Sequence, residues 1–360
     1  MDRSSQEDPV DVDRSLLTLP VGSELNAAMD LLNREPGPRC VPGRSIPLPA
    51  SVSDSFRETI AMPYRASEWM LTPADAAGWR DAVATLAKES TPFVLKIVEK
   101  LGVTYRHTTI DGVSAYEVSP KEIAPRHANR LVVDTHGGGY VFNPGEACLL
   151  EPAVIAASCG IKVLAVDYRM PPDHPFPAAL DDAVAVWKAV ISARPVSQVA
   201  LAGGSAGGGL AMATVLRLKE EGIPLPAALA LQTPWADLSE FGDTIRTNEW
   251  IDNVLVSYRG AAMRAAPLYA AGRDLGDPLL SPLRGDLSGF PPTILFSGTR
   301  DLFLSLAVLV HRKLRRAGVE ADLHLAEGAS HFSYFINPFA PESQELFAEM
   351  SGFLDRHLAG

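Results

Sequence analysis

The stretch Val199-Ala200-Leu201-Ala202-Gly203-Gly204-Ser205-Ala206-Gly207-Gly208-Gly209 decides the fold. A short apolar run, Gln198–Ala202, leads into Gly203-x-Ser205-x-Gly207, and Leu210–Glu221 continues with helical spacing up to Gly222, a natural C-cap. A serine between small residues at a strand-to-helix turn stands clear of the backbone, and the helix N-terminus behind it favours negative charge. The competing reading is a glycine-rich phosphate loop. Leu210 follows Gly209 where a Walker loop carries Lys-Ser or Lys-Thr, and the glycines do not fit GxGxxG. The same mismatch excludes a Rossmann-type dinucleotide binder.

Working outward, apolar runs at Arg130–Thr135, Ile161–Asp167, Ala227–Leu231, Thr293–Ser297 and Ala321–Leu325 alternate with helical segments. The helices are expected at Phe176–Ser192, Leu304–Ala317 and Pro341–Leu358; in the first, Leu180, Val184, Trp187 and Ile191 form one apolar face. Val103–Ile110 and Val113–Ser119 read as a hairpin across Asp111-Gly112. This alternation implies a doubly wound, mostly parallel sheet of the α/β class. The stretch Asp237–Pro282 is too long for a plain connection and should hold helices of its own. Weaker helical signals lie at Leu16–Asn33 and Thr72–Lys100, the latter with Thr72 as N-cap and Pro73 in its first turn.

His136-Gly137-Gly138-Gly139-Tyr140 follows the run Arg130–Thr135. Successive glycines can turn N–H groups toward one point, as a developing oxyanion requires, or they can form a plain flexible turn. His136 reads as a residue that orients this loop. A serine nucleophile needs a base, and the base an orienting carboxylate. Of eight histidines, His331 lies in the loop before the last helix, and Asp301 follows the run Thr293–Ser297. Both fall at C-terminal ends of strands, where open α/β sheets place their ligands. The order Ser205, Asp301, His331 is that of α/β-hydrolases. Asp301 could instead cap the helix that follows it, a part Ser305 could also play.

Composition sets the outer limits. The chain has 360 residues, a hydrophobic fraction of 47%, and a net charge of −11 from 32 basic and 43 acidic residues. This is globular composition, and the charge argues against nucleic-acid or polybasic membrane-surface binding. No segment reaches about 18 unbroken apolar residues, so no membrane span is expected. The N-terminal residues are acidic where a signal peptide is basic. Cys40, Cys148 and Cys159 are odd in number and form no CxxC pair, which suits a reducing cytoplasm. No HExxH or Cys/His cluster is present, so neither metal nor cofactor is expected.

The motifs together resemble the hormone-sensitive-lipase-like esterases (bacterial family IV) of the α/β-hydrolase fold. The resemblance covers residues 100–360. It rests on HGGGY at 136–140, DYRMPPDHPFPAALDD at 167–182, GGSAGGG at 203–209, TPWADL at 233–238, and the contexts of Asp301 and His331. It implies an eight-stranded sheet under a helical cap, the cap formed by residues 1–100 and an insertion at about 237–282. It implies a serine carboxylesterase acting on short- to medium-chain esters, with Ser205 as nucleophile, His331 as base and Asp301 as its partner. The oxyanion donors it implies are the amides of Gly137, Gly138, Gly139 and Ala206, foremost Gly138 and Gly139 with Ala206. Tyr140 and Trp235 would line the substrate pocket, with Phe56, Tyr64 or Trp69 from the cap; each could equally be core packing. Lactones are a variant of the same chemistry, as are amides. The fold also serves as a non-catalytic small-molecule receptor, in which the histidine is lost; His331 is present here. The partner implied is a small-molecule ester, with a homodimer through the edge near Ala321–Leu325 as a further expectation. Two features depart from the family. Gly204 stands where Asp or Thr is usual, and the run Asp301-Leu302-Phe303-Leu304-Ser305 lacks the usual late acidic pair.

Overall fold

The computed structural model describes residues 45–65 and 73–360. Residues 48–360 form one compact unit, which holds everything below. The expected helix at Leu16–Asn33, Cys40 and Trp69 lie outside the described residues.

Eight strands form one sheet in the order β1-β2-β4-β3-β5-β6-β7-β8. They are β1 (Thr104–Ile110), β2 (Val113–Ser119), β3 (Leu131–Thr135), β4 (Lys162–Val166), β5 (Val199–Gly204), β6 (Ala228–Gln232), β7 (Thr293–Gly298) and β8 (Ala321–Ala326). Every expected strand is present within two residues of its expected bounds. Strand β2 runs antiparallel to β1 and β4, and the ladders from β4 through β8 are parallel. Asp111 and Gly112 both take positive φ (49° and 82°), as a two-residue hairpin turn that follows the strands' twist requires.

The helices are α1 (Asp54–Ile60), α2 (Ala76–Leu101), α3 (Leu150–Cys159), α4 (Ala178–Ala193), α5 (Ala206–Glu220), α6 (Ala261–Ala270), α7 (Leu304–Arg316) and α8 (Pro341–His357), with single helical turns at Thr244–Thr247 and Ser333–Ile336. Because side chains alternate along a strand, the sheet has two cores. On one face Val133, Leu201, Leu229, Leu231 and Leu295 join Leu180 and Trp187 of α4, Leu210 of α5 and Val310 of α7. On the other, Ala200, Ala202, Ala228 and Ala230 leave room for Ile155 of α3 and the bulky Phe347, Met350 and Phe353 of α8. Small residues on that face let α8 approach closely, and its aromatic stripe fills the space. Cys148 and Cys159 are free thiols in this second core. No helix among the described residues is long and apolar enough to cross a membrane.

Two helix starts differ from expectation. Helix α2 begins at Ala76, where the Asp75 carboxylate accepts the Gly78 N–H at 2.8 Å, so the N-cap lies three residues beyond Thr72. Helix α5 begins at Ala206, four residues before Leu210, because tertiary packing overrides the poor helix propensity of three glycines. A Cβ on Gly207 would overlap the Thr135 carbonyl oxygen, and one on Gly208 would lie 2.9 Å from Pro234 Cβ. The stretch Asp237–Pro282 holds a helical turn and α6, as its length implies.

Candidate active site

Strands β3 and β5 are adjacent, and their crossovers leave in opposite directions along the sheet. That switch point opens a crevice at their C-terminal ends. The Gly137–Gly139 loop and the Ser205 turn both border it.

Ser205 sits between β5 and α5 with φ 52° and ψ −119°, a conformation non-glycine residues avoid. The surroundings hold it there. Its N–H donates to Gln232 O at 2.8 Å, and its carbonyl accepts from Trp235 N at 2.8 Å and Gly209 N at 3.1 Å. The Thr135 hydroxyl donates to the Gly207 carbonyl at 2.8 Å, tying α5 to β3. Sharp turning pushes Oγ out of the strand line, where it lies 2.9 Å from His331 Nε2. On the other side of the ring, His331 Nδ1 lies 3.0 Å from Asp301 Oδ1. Serine, histidine and aspartate thus form one hydrogen-bonded chain, contributed by the loops after β5, β8 and β7.

Asp301 is fully buried. Burial pushes its carboxyl up, but the opposing pull of His331, by charge and hydrogen bond, with Thr233 and the Phe303 N–H, holds it below the ordinary carboxylate value. Its Oδ2 accepts from the Ser297 hydroxyl at 2.7 Å and from the Thr233 hydroxyl; its Oδ1 also takes the Phe303 N–H at 2.8 Å. That last bond makes Asp301 a local turn-former as well as the histidine's partner. Ser305 instead exchanges hydrogen bonds with Thr244, so neither residue caps α7 by its side chain.

Of the amides expected to face an oxyanion, Gly138, Gly139 and Ala206 donate to no acceptor among the described residues. Gly137 is a correction: Glu151 Oε1 takes its N–H at 2.6 Å. Positive φ at Gly138 (122°) and Gly139 (63°) turns this loop. At Gly138 the requirement is steric too, since a Cβ would overlap the Phe142 carbonyl. His136 supports the loop as expected: its ring stacks on Tyr168 at 4.3 Å and contacts Gly137 O through Nδ1 at 2.7 Å, while the Tyr168 hydroxyl donates to His136 O.

Two cavities meet at Ser205. The larger, about 170 Å³, lies on the His331 side, under Leu86 and Phe93 of α2 and beside Gly138 and Phe332. The smaller, about 10 Å³, also borders Ser205 and lies between Gly139, Trp235, Leu255, Ala265 and Phe303. Trp235 therefore lines a cavity. Tyr140 lines neither and is corrected to core packing: it is 2% exposed and stacked on Tyr269 at 3.9 Å. Phe56 is likewise core, and Tyr64 packs edge-on against Trp250 at the surface.

Three polar residues near the site were assigned no role in the sequence. Thr233 bonds both Asp301 and His331 Nδ1, the latter at 3.0 Å; it opens TPWADL, in which only Trp235 was expected at the site. Asn248 Nδ2 donates to the Asp301 carbonyl at 2.8 Å. Asp252, fully buried, accepts backbone N–H groups from both the Asp301 and His331 loops. Its carboxyl is pushed up to about 6 by burial and then by the neighbouring Asp301 charge.

Sheet, turn and hydrogen-bonded chain define an α/β-hydrolase. Residues 132–335 match the model of a family described as having the alpha/beta hydrolase fold. The crystal structure of esterase E25 superposes with a TM-score of 0.86 at 44% identity, covering 89% of this chain and 99% of that one. An esterase described as belonging to the bacterial hormone-sensitive lipase family superposes at 0.67, with 29% identity over 85% and 96% of the two chains. Among curated proteins, an acetyl-hydrolase of Streptomyces hygroscopicus is 33% identical over 64% of this chain and 76% of its own, and an esterase of Acinetobacter venetianus 29% identical over 70% and 82%. The chain belongs to the hormone-sensitive-lipase-like esterases of the α/β-hydrolase fold, and is a carboxylic ester hydrolase.

Proposed function

We propose that the chain is a serine carboxylesterase that cleaves esters of short acyl groups with bulkier alcohols through an acyl-enzyme on Ser205. The observation that carries this reading is the 2.9 Å contact of Ser205 Oγ with His331 Nε2, continued at 3.0 Å from Nδ1 to Asp301. In this mechanism His331 takes the Ser205 proton as Oγ attacks the ester carbonyl. Asp301 fixes the ring tautomer and stabilises the imidazolium that forms. The oxyanion is held by the N–H groups of Gly138, Gly139 and Ala206. His331 then protonates the leaving alcohol, and water repeats the cycle.

The division between acyl and alcohol sides follows from that last proton transfer. The leaving oxygen must be near His331, so the alcohol belongs in the larger cavity, which His331 lines. The acyl chain is left with the small cavity walled by Trp235, Leu255 and Phe303. This supports the short end of the short- to medium-chain range, as does the name of the acetyl-hydrolase relative. Helix α2 over Ser205 and the Asp237–Pro282 insertion act as a cap on the sheet domain, residues 101–360. The buried free thiols of Cys148 and Cys159 suit the cytoplasm. A homodimer would form through β8, whose outer edge pairs with no other strand among the described residues.

The test is a panel of p-nitrophenyl esters from acetate to decanoate on wild type and Ser205→Ala, with lactones included. Wild type should prefer acetate, with turnover falling as the acyl chain lengthens. Ser205→Ala should lose activity by about 10³-fold or more. A variant with near wild-type activity sinks the reading. Rapid labelling of Ser205 by a fluorophosphonate separates the enzyme from a receptor without a working base.

A further inference from the structure

The proposed mechanism leaves a buried carboxyl group unused. Glu151 lies in the first turn of α3 and is 4% exposed. Its Oε1 accepts the Gly137 N–H at 2.6 Å, one residue before the Gly138 donor. Its Oε2 faces Gly204, the residue before Ser205. A Cβ built on Gly204 would lie 2.5 Å from that oxygen and would also run into the Phe332 ring. Oε2 makes no hydrogen bond of good geometry, although it is near enough for the Gly204 amide to favour the ionised carboxyl. One carboxyl group therefore spans the oxyanion loop and the nucleophile turn, two segments the sheet brings side by side and the Thr135 hydroxyl ties just below through the Gly207 carbonyl. It also accounts for the glycine at 204: the volume a side chain would take there is filled from α3.

We infer that Glu151 is a positioning residue for the reaction, bridging the Gly137–Gly139 loop to the Ser205 turn so that the free N–H groups of Gly138, Gly139 and Ala206 converge on one oxyanion. The inference rests on the proposed roles of Ser205 and those amides. Burial, and then the charge of the nearby Asp134, push the Glu151 carboxyl well above the usual range. A carboxyl group kept in so unfavourable a place suits a task beyond packing. An apolar side chain of equal size would fill the volume at less cost but would leave the Gly137 N–H unpaired.

The test compares Glu151→Met, which keeps the volume and removes the acceptors, with Glu151→Gln, which keeps the volume and one acceptor. Wild type and Ser205→Ala serve as references. Two quantities are read on full-length protein: kcat and KM for p-nitrophenyl acetate, and affinity for an aryl trifluoromethyl ketone. The ketone carbonyl bonds to Ser205 Oγ, its π pair becomes an oxyanion against the same amides, and the serine proton passes to His331. Glu151→Met should lose about tenfold or more in both kcat and ketone affinity, short of the 10²–10³ for a donor removed outright, with KM within about twofold. Glu151→Gln should lose about two- to fivefold. A folded Glu151→Met with kcat and ketone affinity within about twofold of wild type overturns the inference, as does a KM that rises in step with the loss. If Glu151→Met does not fold, Glu151→Gln decides, and unchanged ketone affinity overturns it. An inactive wild type would overturn the esterase reading and this inference together. An active wild type beside an inactive Ser205→Ala isolates the Glu151 result.

Discussion

Asp252 holds the backbone of His331. Its Oδ2 accepts the His331 N–H at 3.2 Å and the Leu302 N–H, next to Asp301, at 2.8 Å. Its Oδ1 takes the N–H groups of Val254 and Leu255, at 2.8 and 3.0 Å. One buried carboxyl group thus ties the loops after β7 and β8 to the Asp237–Pro282 insertion. Asp252→Ala leaves four backbone donors unpaired and should cost about 3–5 kcal/mol of stability. It should also lower kcat, because both loops lose their common anchor. Thermal unfolding and p-nitrophenyl acetate turnover check this, and an unchanged melting temperature refutes it.

Leu255 lies on the wall of the small cavity beside Ser205. Leu255→Ala enlarges the proposed acyl side only. The optimum in the ester panel should move to longer chains by about one or two carbons, since a methylene in such a pocket is worth about 1–3 kcal/mol. Truncating Leu86 in the large cavity should leave the acyl optimum in place and alter tolerance toward the alcohol instead. A shift in acyl preference from Leu86→Ala would reverse the assignment of the two cavities.

Gly204 departs from the family's usual Asp or Thr, and restoring the usual residue should damage this protein. Gly204→Thr drives a side chain into Glu151 and Phe332. Overpacking of this kind costs about 1–3 kcal/mol. It should also lower kcat, because both neighbours border the Ser205 turn. Equal stability and activity in Gly204→Thr would show that the crowding is relieved without consequence.

Asp134, on β3, is fully buried, and neither of its carboxylate oxygens has a hydrogen-bond partner among the described residues. Burial pushes its carboxyl up to about 8. A folded-state value above the unfolded one means that this group favours the fold most below the unfolded value, near 4. That contribution is lost as pH rises toward about 8. Asp134→Asn removes the titration at constant shape. It should raise the melting temperature at pH 8 by about 2 °C or more and change it little at pH 5. A gain that is equal at both pH values would refute the account.

Strand β5, the Ser205 turn and the order of Ser205, Asp301 and His331 were legible in the sequence, because each follows from local pattern: an apolar run, small residues at a tight turn, a polar residue at a strand end. Asn248, Asp252 and Glu151 were not, and Thr233 was visible only as the first residue of TPWADL, without a role. Their part in the site comes from contacts between segments far apart in the chain, and threonine, asparagine or an acid in a loop or first helical turn has no distinguishing neighbourhood in one dimension. Tyr140 misled for a related reason. An aromatic beside the glycine loop looks like a pocket wall, but positive φ at Tyr140 accompanies a side chain stacked on Tyr269. Gly137 was assigned with its neighbours because the sequence cannot show that a helix 14 residues on has already taken its N–H.

Ser205 and His331 are 126 positions apart. The reactive geometry therefore depends on closure between segments far apart in the chain. Turnover becomes a reporter of that closure. During refolding, recovered hydrolysis should lag behind recovered helix content, and a cut anywhere between β7 and α8 should abolish activity while much of the chain still folds.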